Sequence, residues 1–112
     1  MSNESEAVFD ALGEANRRRI LELLRQGDQT VGALALDLPI GRPAVSRHLK
    51  VLSDAGLVCS RSAGTRNLYA LAPEGLAAAQ QWLVGTWDRA LAEYARAVEA
   101  ALADDERRGT DA

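Results

Sequence analysis

The most constraining part of the chain is the run from Thr30 to Leu71, because its hydrophobic spacing changes period partway along. Thr30 can accept a hydrogen bond from a free first-turn N–H, and it opens a stripe of Val31, Leu34, Ala35 and Leu38 at i, i+3, i+4 and i+7. That spacing predicts a short helix, which Pro39-Ile40-Gly41 then interrupts. Pro43 suits the first turn of a second helix, where its missing N–H costs nothing. Val45, Leu49 and Leu52 form that helix's inner face to about Ala55, and Gly56 supplies a stop. The period then falls to two. A short apolar stretch, Leu57 to Cys59, precedes a turn at Ser62-Ala63-Gly64-Thr65, and Asn67 to Leu71 alternates, which predicts a hairpin. Short helix, tight turn and amphipathic helix make a helix-turn-helix, here over about residues 30–55, and a hairpin directly after it, about 57–71, is a wing.

The flanks are helical. Glu4 to Gly13 carries Val8, Phe9 and Leu12 on one side; Asn16 to Gln26 carries Ile20, Leu23 and Leu24 and ends at Gly27-Asp28. Pro73 opens a long final helix, about 73–102, with a charged tail over 103–112 that is expected to fray. The final helix is too long and too apolar for one small domain to satisfy. Leu83, Trp87, Leu91, Tyr94 and Val98 form a seam at near-heptad spacing, over which Phe9 and Leu12 can close. The expectation is a single domain over residues 1–112, mainly α with a small β-hairpin, dimeric through its first and last helices.

Charge then narrows the function. The net charge of −3 argues against a generic nucleic-acid binder, but its distribution argues for a specific one. Residues 40–70 hold five basic residues (Arg42, Arg47, Lys50, Arg61, Arg66) against Asp54, a local +4, while the remainder carries −7. An electropositive face on an acidic protein is the footprint of a DNA reader. The leading residues of the helix that enters the major groove would be Arg42, Ala44, Ser46 and Arg47. The two arginines suit guanine O6 and N7, Ser46 suits a base or a phosphate, and Ala44 suits a thymine methyl. His48 and Lys50, further along, suit phosphates. On the wing, Arg61, Thr65, Arg66 and Asn67 suit the backbone and a minor groove. The run Arg17-Arg18-Arg19 is most simply a solvated face, with a flanking phosphate as the alternative.

Three stretches, FDALGEANRRRILELL, TVGALALDLPIGRPAVSRHLKVLSDAGLV and RSAGTRNLYAL, resemble the ArsR-type (ArsR/SmtB) family of bacterial winged helix-turn-helix repressors over about residues 7–72. The resemblance implies a homodimer whose recognition helices lie in successive major grooves of an inverted-repeat operator. Gly41 and Ala44 stand where the family often has Ser and Thr, and Glu14-Ala15-Asn16 where it often has Asp-Pro-Thr. Metal-sensing members carry a Cys-x-Cys motif in the third helix or Asp and His ligands on the last. This third helix reads VGALALDL and the last helix has no histidine. Cys59 and His48 alone cannot supply a zinc site, and the acids Asp88, Glu93 and Glu99 read as solvated surface. The expected reading is a repressor without a cofactor.

Other classes are weighed against that reading. No nucleophile with a base, no paired catalytic carboxylates and no phosphate-binding glycine loop point to an enzyme. A winged-helix protein-interaction module, or a repressor that depends on a partner protein or a weakly bound metal, is the alternative; interaction modules usually lose the arginines kept here. With one cysteine no intrachain disulfide is available, and Cys59 in an apolar strand reads as a small buried hydrophobe. No apolar run matches a membrane span, and Met1 to Glu6 lacks the basic and apolar parts of a signal peptide, so a cytoplasmic location is expected.

Overall fold

The computed structural model describes residues 2–110. The chain divides into two compact units, one through Gln80 and one from Gln81 onward. The first contains α1 (Asn3–Leu12), α2 (Ala15–Leu24), α3 (Val31–Leu36), α4 (Arg42–Asp54), β1 (Val58–Ala63), β2 (Arg66–Leu71), a 3-10 turn (Pro73–Leu76) and the start of α5 (Ala77–Thr110). The rest of α5 forms the second.

Side-chain caps start the first three helices. The Ser2 hydroxyl accepts from the Ser5 N–H, the Glu14 carboxylate from Arg17 and the Thr30 hydroxyl from Ala33. α4 starts at Gly41 with no side-chain cap, and Pro43 at its N-terminus removes one of the donors that would need one. Its end is a Schellman motif. The Gly56 N–H reaches the Ser53 carbonyl and the Leu57 N–H the Leu52 carbonyl, both at 2.9 Å, with Gly56 at φ +77°. Leu52 and Leu57, both buried, close the apolar side of the motif.

Gly56 is also where the chain packs most closely. A Cβ placed on Gly75, in the 3-10 turn, would stand 2.0 Å from the Gly56 carbonyl oxygen. Backbone lies against backbone there, and only glycine fits at position 75.

The core of this unit draws on every helix. Val8, Ala11, Ile20, Leu34, Val45, Leu49 and Leu52 are all fully buried, so the expected inner face of α4 is the one observed. Phe9 and Leu12 are partly buried and pack against this core.

The hairpin differs from the sequence expectation in its turn. Ser62 and Ala63 belong to β1, where they pair with Asn67 and Arg66, which leaves Gly64-Thr65 as the loop. Gly64 has φ +66° and Thr65 an ordinary negative φ, the pattern of a type II′ turn, whose twist matches that of the strands it joins. A third segment, unanticipated from sequence, widens the sheet. Gln29 exchanges both backbone hydrogen bonds with Tyr69, at 3.0 and 2.8 Å, so the residue before the α3 cap pairs with the outer side of β2.

Three further expectations need correction. Cys59 is exposed: β1 has Val58 facing the core, and strand alternation turns the next residue outward. Pro73 opens a 3-10 turn rather than the long helix itself. That helix continues past Leu102 to Thr110, through the described part of the tail, with Arg107 and Arg108 set favourably against the dipole of its last turn. Asp111 and Ala112 lie outside the described residues. Among the described residues no helix is long and apolar enough to cross a membrane.

Candidate nucleic-acid interface

α3, α4 and the hairpin place most of the expected DNA-reading residues on the surface of the first unit. Ser46 and Arg47 are exposed on α4, opposite the buried Val45, Leu49 and Leu52. Arg42, at the start of α4, lies back across α3. Its guanidinium is 3.0 Å from where a Cβ of Gly32 would stand, so a larger residue at 32 would displace it. Arg42 shares a groove of about 510 Å³ with Arg66 and Asn67 of the wing, Thr30, Val31, Gly32, Ala33 and Leu36 of α3 and its cap, and Tyr69. Helix-turn-helix and wing therefore meet along one furrow lined by Arg42 and Arg66. Ala44 is partly buried, and Thr65 is exposed at the hairpin tip.

The basic residues fall into two groups by what holds them. Arg42, Arg47 and Arg66 form no ion pair among the described residues. Lys50 is 3.2 Å from Asp54 and Arg61 is 3.3 Å from Asp28, and all four side chains are largely exposed. Exposed pairs of this kind contribute little, so a phosphate can compete for either cation.

Arg17, Arg18 and Arg19 are engaged differently. Arg17 donates through Nε to the Ala11 carbonyl at 2.7 Å and through a terminal nitrogen to the Asp10 carbonyl at 3.1 Å. Arg18 donates to the Leu12 carbonyl at 2.7 Å. Two guanidinium groups thus satisfy the orphan carbonyls at the end of α1, where the helix dipole favours positive charge. Arg19 pairs with Glu22 at 3.2 Å. The run is more than a plain solvated face, because two of its members close the preceding helix.

His48 also departs from its expected role. It is not turned out toward a phosphate: its side chain is only 20% exposed, Nδ1 lies 3.4 Å from a terminal nitrogen of Arg17, and Nε2 lies 3.8 Å from Glu14 Oε2. One helical step separates His48 from the outward Arg47, enough to turn it onto the flank that meets α2. The Glu14 carboxyl is held below its ordinary range. Partial desolvation works against that, and the Arg17 backbone N–H, the His48 imidazole, the Asn16 hydrogen bond and the Arg17 charge outweigh it. Periodicity reported that His48 was off the core stripe but not which neighbour it met. Among the described residues, no group of three or more His, Cys, Asp or Glu is placed to hold a metal.

In the second unit Leu83, Trp87, Leu91, Tyr94 and Val98 follow one another along α5 at steps of four, four, three and four, and all are exposed.

Comparison with known proteins gives concordant results. Residues 14–60 match the profile described as bacterial regulatory protein, arsR family. The chain is 52% identical over 92 residues to the HTH-type transcriptional regulator Rv2034 of Mycobacterium tuberculosis, covering 82% of this chain and 86% of that one. It is 34% identical over 77 residues to the transcriptional repressor SdpR of Bacillus subtilis, covering 69% and 86%. Among solved structures, it resembles the homodimeric winged helix-turn-helix DNA-binding domain of Mb0332 from Mycobacterium bovis, with a TM-score of 0.63, 32% identity and coverage of 80% and 82%.

Proposed function

The chain belongs to the ArsR family of bacterial regulatory proteins, and from that premise we propose that it represses transcription as a homodimer that reads an inverted-repeat operator in the cytoplasm. One observation carries the reading: on the recognition helix and wing Arg42, Arg47 and Arg66 form no ion pair among the described residues, and the other two cations there, Lys50 and Arg61, are held only by exposed pairs with Asp54 and Asp28.

In this reading α4 lies in the major groove. Arg42 and Arg47 read guanines, Ser46 reads a base or phosphate, and Ala44 touches a thymine methyl. Lys50 releases Asp54 and Arg61 releases Asp28 to take backbone phosphates, while Thr65, Arg66 and Asn67 follow the strand into the minor groove. Leu83, Trp87, Leu91, Tyr94 and Val98 are covered by the same residues of a second copy about a two-fold axis. The dimer then presents two recognition helices about one helical turn of DNA apart, roughly 34 Å.

The test is fluorescence anisotropy of the purified protein on duplex DNA from its own upstream region, over a salt series, with a scrambled duplex as control. Tight binding that prefers the native duplex and weakens steeply with salt is expected, because every neutralised phosphate releases counterions. A flat salt response, or equal affinity for both duplexes, would contradict the proposal.

A further inference from the structure

The core face of α4 is apolar, and apolar packing has no strong directional preference. Val45, Leu49 and Leu52 bury the helix firmly, yet contacts of that kind tolerate small rolls and slides. Base reading does not, because hydrogen bonds to base edges hold over only a few tenths of an ångström. A directional contact must therefore fix the roll of α4, and the structure supplies one at His48.

His48 Nδ1 lies 3.4 Å from the Arg17 guanidinium of α2, from which it can accept a hydrogen bond, and Nε2 stands 3.8 Å from Glu14 at the α2 cap, beyond hydrogen-bond distance. The same guanidinium is fastened to the last turn of α1 through the Ala11 and Asp10 carbonyls. Glu14 is fastened in turn, accepting from the Arg17 backbone N–H at 3.0 Å. A planar fork with donors in fixed directions thus ties the end of α1, the start of α2 and the flank of α4 together.

We propose that Arg17 and His48 are positioning residues for DNA reading: they set the seat of the recognition helix against the end of α1 and touch no DNA themselves. The proposal rests on the DNA-reading function above. Lysine at 17 would keep the charge but could not span two carbonyls and an imidazole, and that separates a positioning role from a phosphate contact.

In the experiment the wild-type protein selects its preferred duplex from a randomised pool. Anisotropy is then measured on that duplex and on a scrambled one, across salt, for R17K, H48A, H48Q, the R17K/H48A double variant and R47A. R17K and H48A are each expected to lose about three- to thirtyfold in affinity for the selected duplex. Their salt slopes and their binding to the scrambled duplex should be unchanged. The double variant should be no weaker than the worse single one, because both changes cut the same tie. H48Q, whose amide can still donate and accept, should recover most of the affinity even if H48A folds poorly. Wild-type affinity in R17K, losses that multiply in the double variant, or a parallel loss on the scrambled duplex would each overturn the proposal. R47A keeps the underlying function separately testable: it should weaken binding to the selected duplex about five- to a hundredfold and narrow its preference over the scrambled one. If R47A binds like wild type, the DNA-reading function fails first.

Discussion

The two units of this chain solve the problem of apolar surface in opposite ways. In the first, Ile20, Leu34, Leu49 and Leu52 are completely buried, each covered by other helices of the same chain. In the second, Trp87, Leu91 and Tyr94 are 51%, 58% and 70% exposed along a single helix. Apolar side chains in such a row are ordinarily covered, and a monomer seldom leaves so continuous a patch in water. The first unit covers most of its large apolar side chains within the chain, and under the proposal above the second awaits a second copy. Under that proposal, stability in the first unit belongs to the chain, whereas stability in the second depends on the concentration of its partner.

The largest expected effect attacks the open unit. Leu91→Glu places a charge in the middle of the seam, and light scattering should then report monomers. Operator affinity should fall about a hundredfold or more, because two linked half-site contacts become one. A dimeric Leu91→Glu protein would erase the contrast between the units. The next attacks the closed unit. Leu49→Ala should lower stability by about 2–5 kcal/mol, seen as a lower denaturation midpoint, since Leu49 is fully buried and the cavity cannot collapse freely. Its unfolding should be independent of protein concentration once the dimer has dissociated, while assembly itself remains concentration-dependent.

A smaller effect tests the surface the closed unit presents. Arg47→Ala should cost about 1–3 kcal/mol of operator binding, measured by anisotropy, and should leave the midpoint of thermal unfolding unchanged. The smallest concerns protons. The folded Glu14 carboxyl lies below its ordinary range, so its contribution to the first unit is present at neutral pH and is lost as pH falls through that depressed value. Glu14→Ser keeps a capping oxygen but not a carboxylate, so it should lower stability near neutrality and shallow the acid limb of a stability-versus-pH curve, converging on the wild type at low pH. An unaltered acid limb would place that proton linkage elsewhere.

Much of the first unit could be read from spacing because its elements carry strong local signals. Thr30 as a cap, Pro43 in a first turn and Gly56 as a stop each report a backbone requirement that few other residues meet. The misread features depend on neighbours distant in sequence. Cys59 sits in a strand paired on one side only by β2, so alternation alone decided its exposure, and the apolar run around it suggested the reverse. The Gln29–Tyr69 pairing joins residues far apart in the chain, and a single bridging residue has no period to detect. His48 and Arg17 are 31 positions apart, and nothing in either helix's stripe points to the other. The recognition surface was legible as a list of exposed cations. Which of them the fold had already engaged was not, because carbonyl acceptors such as those of Asp10, Ala11 and Leu12 carry no signature in side-chain sequence.

The close approach of Gly75 to Gly56 has a consequence for how this protein tolerates change. In a saturation library selected only for promoter silencing, positions 56 and 75 would look as intolerant as Arg47, though neither is among the proposed DNA-reading residues. Scoring the same library for protein abundance would separate them. The glycine variants would vanish from both screens, while the arginine variants would persist in the second as stable, silent proteins. A map of variant effects on this protein therefore needs both axes before an intolerant glycine is taken for a contact.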